Sequence, residues 1–175
     1  MSNLVRLVYV STSTNPIAES RQTVHKDVGR ILMQSRKNNP AKQIGGVLYF
    51  SNNYFFQCLE GEQEAVDKVY NKIKLDPRHD DLKVISVERV HERKFSDWSM
   101  KYVARQDKVT RLLVENGFKE FNPYMFNEGM TRKMLALFQD IKDETVNQNV
   151  FKPANDTKPT RSGFFSRLFG KLKAA

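Results

Sequence analysis

Much of what usually betrays a function is missing from these 175 residues. A single cysteine, Cys58, excludes an internal disulfide, agrees with a reducing compartment and has a buried apolar filler as its ordinary role. No apolar run approaches the roughly 20 residues of a membrane span, and Leu4 to Val10 is interrupted by Arg6 and lacks a signal-peptide cleavage site. A cytoplasmic protein is therefore expected. There is no G-x-G-x-x-G, no G-x-x-x-x-G-K-[ST] and no H-E-x-x-H, so the common dinucleotide, phosphate-cradling and zinc-protease signatures are excluded. Three histidines, His25, His79 and His91, stand far apart without cysteine neighbours, and no metal site is expected. Glu60 and Glu62 could be imagined as a carboxylate pair for acid/base work. Placed where a helix begins, they are instead expected to favour its positive end.

What is present describes a globular chain, with 39% hydrophobic and 28% charged residues, long enough for one sizeable core plus an appendage. The net charge of +9 is unevenly spread: residues 152 to 175 carry six Lys and Arg against Asp156, more than half of the excess. The remainder is small enough to be a solvated surface, whereas the concentrated part is a tail able to touch an anionic surface.

Strand and helix signals alternate along the chain. Leu4 to Val10 is β-branched and almost continuously apolar, as suits a central strand covered on both faces. Val24, Val28, Ile31, Leu32 and Ser35 recur at helical spacing up to Asn39-Pro40, because the residue before proline disfavours helix. Val47 to Phe50 and Tyr54 to Leu59 flank Ser51-Asn52-Asn53, a hairpin signal. Ala65, Val66, Val69, Tyr70 and Ile73 mark a second amphipathic helix ending near Asp76-Pro77, and Val84 to Val87 and Trp98 to Val103 supply two more strands. The fold class is α+β: a ferredoxin-like β-α-β-β-α-β core with a fifth strand in a mixed sheet. Beyond Asp107, Val109, Leu112, Leu113 and Phe118 form one apolar stripe, and Met130, Met134, Leu137, Phe138 and Ile141 another. Lacking a core of their own, these C-terminal helices are expected on the opposite sheet face. The division is 1–104, 105–150 and a flexible basic tail 151–175 with an amphipathic stretch from Gly163 to Leu172, a candidate for a membrane surface or a partner.

Four short features, in order, are Tyr9 in the first strand, Asn38-Asn39 after a helix, Gln57 before Leu59-Glu60-Gly61-Glu62, and Trp98-Ser99-Met100. Together they resemble a BLUF domain over roughly residues 4 to 103. The resemblance implies a blue-light photoreceptor binding a flavin, FAD with FMN or riboflavin as alternatives, and not an enzyme. It implies that Tyr9 and Gln57 stand beside the flavin ring on neighbouring strands: light draws an electron from Tyr9 and a proton by way of Gln57, leaving the glutamine's donor and acceptor roles exchanged. Trp98 and Met100, expected on one face of the last strand, would re-pack in response. Asn38 and Asn39 would clamp the ring edge, with Ile31, Leu32, Val66, Val69 and Ile73 lining an apolar slot. Lys72, Asp76, Arg78 and His79 would approach the polar part of the cofactor, Arg78 reaching phosphate. Two departures stand out: Lys72 where relatives often have arginine, and Gly45-Gly46 in place of a more usual Thr-Gly.

Each residue also has a plain structural role: Tyr9 and Gln57 as a satisfied core pair, Asn39 as helix-ending turn chemistry, Lys72 and Arg78 as cations at a helix end, Trp98 and Met100 as core. With no output domain after the sensor, action through a partner protein or a homo-oligomer is expected. The density of Phe118, Phe121, Tyr124, Met125 and Phe126 points to residues 107–150 as the docking surface. The rival reading is an RNA-binding module, given the shared topology, the basic charge and Tyr54-Phe55-Phe56; the RNA-recognition run itself is absent.

Overall fold

The computed structural model describes residues 3–14, 26–97 and 99–142, so Val24, Trp98 and the 151–175 tail lie outside the described residues. Five strands form one sheet in the order β4-β1-β3-β2-β5: β1 (Leu4–Ser13), β2 (Gly45–Ser51), β3 (Tyr54–Glu62), β4 (His79–Arg89) and β5 (Lys101–Val103). β1 pairs antiparallel with β3 and β4, β2 antiparallel with β3, and β5 parallel with β2, giving the expected mixed sheet. The helices are α1 (Lys26–Asn38), α2 (Gln63–Ile73), α3 (Gln106–Glu115) and α4 (Glu128–Asp140).

Alternation of side chains sorts the apolar residues into two cores. Leu7 and Tyr9 of β1, Leu48 of β2, Phe55 and Leu59 of β3 and Tyr102 of β5 pack with Val28, Ile31, Leu32 and Val66 of α1 and α2. Their neighbours Val8, Val10, Val47, Tyr49, Phe56 and Val103 face Val109, Leu113, Met130, Met134 and Phe138 of α3 and α4. This double cover is why β1 reads as continuously apolar, and why the C-terminal helices need no core of their own. It also removes the open aromatic face an RNA-binding sheet would need: Phe55 and Phe56 are both fully buried, one under each layer.

Local signals hold the elements in place. Asn52 and Asn53 turn the β2–β3 hairpin with φ of 49° and 66°, the left-handed pair of a tight I′ turn. α3 ends in a Schellman motif: Gly117 (φ 81°) donates to Val114 O and Phe118 to Leu113 O. Asn127 caps α4 by accepting from Met130 N at 2.8 Å.

Three expectations are corrected. The aromatics offered as a docking surface are mostly structural: Phe121 and Phe126 are buried and Phe118 and Tyr124 pack on the same core, because they seal the end of the second layer, leaving Met125 exposed. Glu60 does not open a helix. It lies within β3, fully buried, bound by Arg6 Nε at 2.5 Å and by the Phe95 amide at 2.8 Å, since a buried carboxylate needs paired donors. The last strand begins at Lys101 rather than at Trp98, and the fourth is far longer than Val84 to Val87. Ser99 and Met100 offer their carbonyls to Asn39 Nδ2 (2.7 Å) and Arg36 Nε (3.0 Å) of the α1 end and stand outside the strand ladder. Among the described residues no helix is long and apolar enough to cross a membrane.

Candidate functional site

Strand register places the two central candidates side by side. Tyr9 of β1 pairs with Gln57 of β3, which pairs in turn with Leu48 of β2, so both side chains project toward α1 and α2. The Tyr9 hydroxyl donates to Gln57 Oε1. That leaves the Gln57 amide nitrogen to donate, and it points at Met100 Sδ, 3.6 Å away. Tyr9 is fully buried, and burial raises its phenol well above the ordinary tyrosine range, with the neighbouring Tyr70 hydroxyl adding to the effect. It therefore stays protonated, a neutral donor locked onto one acceptor.

A cleft of about 240 Å³ opens above Gln57 between α1 and α2. Ile31, Leu59, Val69 and Ile73 give it apolar walls; Asn38, Asn39, Gln57, Lys72, Asp76, Arg78 and His79 supply polar ones. Nearly the whole predicted set thus converges from four elements. Tyr9 and Met100 do not line the cleft but are buried around Gln57, and Trp98 lies outside the described residues. Leu32 and Val66 belong to the core beneath, although the slot was expected to use them.

Each polar group has a defined state. Asn39, at the end of α1, is buried and spends one amide hydrogen on Ser99 O, leaving its other hydrogen and its oxygen to serve the cleft. Asn38 is exposed at the rim, as is Lys72. Arg78 grips Asp76 through both its Nε (2.8 Å to Oδ1) and a terminal nitrogen, and donates to Gln34 Oε1 at 2.9 Å. Burial pushes the Asp76 carboxyl up, but the Arg78 hydrogen bonds prevail and hold it below the usual carboxylate range. His79 is not part of a helix exit: it is the first residue of β4, buried, with Nδ1 sharing a hydrogen bond with Ser11 Oγ at 2.8 Å. Its ring lies 6.2 Å from that of Tyr9 and 4.6 Å from Phe55, and burial lowers its pKa to about 4, so it is neutral at pH 7.

Sequence reasoning missed several partners. Tyr70 of α2 packs 5.3 Å from the Tyr9 ring, Arg36 holds Met100, and Ser11 holds His79. Tyr70 stood in the helical stripe, so its packing against the core was readable; the other two contacts join residues distant in sequence. Among the described residues there is no group of three His, Cys, Asp or Glu able to hold a metal.

The cleft fits a planar heteroaromatic group with donors and acceptors along its edge. Apolar walls take the faces, two carboxamides the edge, and Arg78 and Lys72 stand at the mouth for anionic groups. Comparison with known proteins agrees. Residues 4–101 match the family described as BLUF, sensors of blue-light using FAD. The photoactivated adenylate cyclase subunit beta of Euglena gracilis is 35% identical over 100 residues, 57% of this chain and 11% of that protein. The blue light- and temperature-regulated antirepressor BluF of Escherichia coli is 26% identical over 100 residues, 55% of this chain and 25% of its own length. The chain spans about a tenth of the length of the cyclase relatives it matches. Of solved structures, the BlsA photo-activated state aligns with TM-score 0.73 and 34% identity over 81% of this chain and 99% of that one, and BlrB in its dark state with 0.58 and 27% over 78% and 98%. With a family match across more than half its length, the chain belongs to the BLUF family of flavin-binding blue-light sensors.

Proposed function

We propose that this protein is a non-enzymatic blue-light switch in which Tyr9 and Gln57 carry the photochemistry and FAD is the flavin held between α1 and α2. The single observation that carries this reading is the hydrogen bond from a fully buried Tyr9 to Gln57, directly below the cleft. The flavin, when bound, supplies the visible absorption and a strongly oxidising excited state. Asn39 and Gln57 would bind its ring edge, Ile31 and Ile73 would exclude water from its faces, and Lys72 and Arg78 would meet its phosphates. Because Tyr9 is neutral and bonded to Gln57 Oε1, an electron taken from its ring by the excited flavin would be accompanied by transfer of the phenolic proton to that oxygen, and the return of both to Tyr9 would restore a neutral pair. When phenol and amide are neutral again, Gln57 has two available states, with donor and acceptor exchanged by rotation or tautomerisation and no backbone movement. In the exchanged state its nitrogen no longer donates to Met100 Sδ, so the change is felt at the segment leading into β5.

The output is carried to a partner protein or to a second copy of the chain by the C-terminal segment, which packs the other face of the sheet holding Gln57. Relatives illustrate the range, their own names describing a cyclase subunit and an antirepressor. The test is the visible spectrum of the full chain with FAD, dark and under blue light, for wild type, Tyr9→Phe and Gln57→Ala. A small red shift that relaxes in the dark is expected in the wild type and in neither variant. A shift that survives Gln57→Ala sinks the assignment.

A further inference from the structure

Met100 is held by more than Gln57. Its methyl group rests against Gly46, where a β-carbon would come within 3.4 Å of it, and the residue is 1% exposed. Its carbonyl accepts from Arg36 Nε at 3.0 Å, and one residue earlier the Ser99 carbonyl accepts from Asn39 Nδ2 at 2.7 Å. Arg36 in the last turn of α1 and Asn39 just after it therefore hold two successive carbonyls that precede β5. Arg36 does not line the cleft, so its contribution is separable from cofactor binding.

We infer that Arg36 is a positioning residue for the light switch: it anchors the Met100 backbone and so fixes where the Met100 thioether meets the Gln57 amide. The physical argument concerns what remains when Gln57 exchanges its donor and acceptor. The contact from Gln57 Nε2 to Met100 Sδ is a weak one, and once it is lost the side chain's seat depends on the backbone anchor and on the Gly46 surface. A guanidinium donating to a carbonyl is the stronger bond of the two. Arg36 thus holds open the seat to which Met100 returns in the dark. Without it that seat is less populated, and return is slower.

The inference rests on the Gln57 switch proposed above, and two readouts keep their failures apart. In the full chain loaded with flavin and labelled at methionine methyl groups, the Met100 resonance in the dark reports the clamp whether or not light does anything. Dark recovery after blue light reports its part in the switch. For Arg36→Met, which keeps the apolar stem and removes the donors, the Met100 resonance moves or broadens. Recovery slows about threefold or more, the size of one such hydrogen bond, while the amplitude of the red shift stays at the wild-type value. Arg30→Met is the control on the same helix: Arg30 is 71% exposed in its side chain and pairs with Asp27. A Met100 resonance at its wild-type position in Arg36→Met, recovery that is not slowed, or the same changes in Arg30→Met would each overturn the assignment.

Discussion

His79 is a titratable group that the fold keeps uncharged. It sits between Tyr9, Phe55 and Ser11; burial disfavours the proton most, Arg78 adds to that effect, and together they outweigh Asp76, which favours it. Its folded pKa of about 4 lies below the ~6.5 of an unfolded histidine. As pH falls, the unfolded chain therefore takes up the proton first. The fold loses stability progressively between about pH 6.5 and about pH 4, by up to about 3 kcal/mol. Denaturation midpoints across that range should show this slope, and His79→Gln should flatten it; an equal slope in the variant would assign the titration elsewhere. Glu60 likewise takes its place from a distant partner. Its partner Arg6 is on β1, 54 residues away, and Arg6 also reaches Glu88 of β4 at 3.7 Å. Nothing within the Leu-Glu-Gly-Glu run distinguishes a carboxylate that caps a helix from one buried within the sheet, because the difference is made by that distant arginine.

Among the elements, β2 tolerates least. A β-carbon at Gly46 would stand 2.2 Å from the Cys58 carbonyl of β3, a backbone group that cannot move without breaking the β2–β3 ladder. Gly46→Ala is expected to destabilise the fold by about 2 kcal/mol or more, read as a lower denaturation midpoint. Wild-type stability would mean that the strand spacing relaxes freely. The glycine pair in the sequence stood out as a departure from the family pattern, yet only the spacing to β3 shows what the second one does. Helices and the hairpin were legible because their signals are local: the α2 stripe, Asn52-Asn53, Gly117. The limits of β4 and β5 were not, since β4 is an edge strand whose residues are mostly exposed or half-buried without a clean period, and the residues before the three-residue β5 are held by side chains of Arg36 and Asn39, distant in sequence.

For the whole molecule, the two cores share one sheet, and neither layer of helices is dispensable. Ending the chain at Ala104 would bare Val8, Val10, Tyr49 and Phe56, all now buried, on one contiguous face. Such a truncation is expected to aggregate or to form oligomers on size-exclusion chromatography. A soluble monomer would show instead that the sensor region stands without α3 and α4, and the aromatic residues at 118–126 would regain the role of an exposed surface.

The sequence by itself determined the family, the β-α-β-β-α-β order and most of the residues around the cleft, because these depend on periodicity and on side-chain types at short spacings. Tertiary structure alone decided that Glu60 is buried, that the C-terminal aromatics close a core, that His79 is neutral, and that Arg36 touches Met100. Each of these depends on a partner from a distant part of the chain, and a charge, a ring or a carbonyl acquires its role only when the fold has chosen what lies against it.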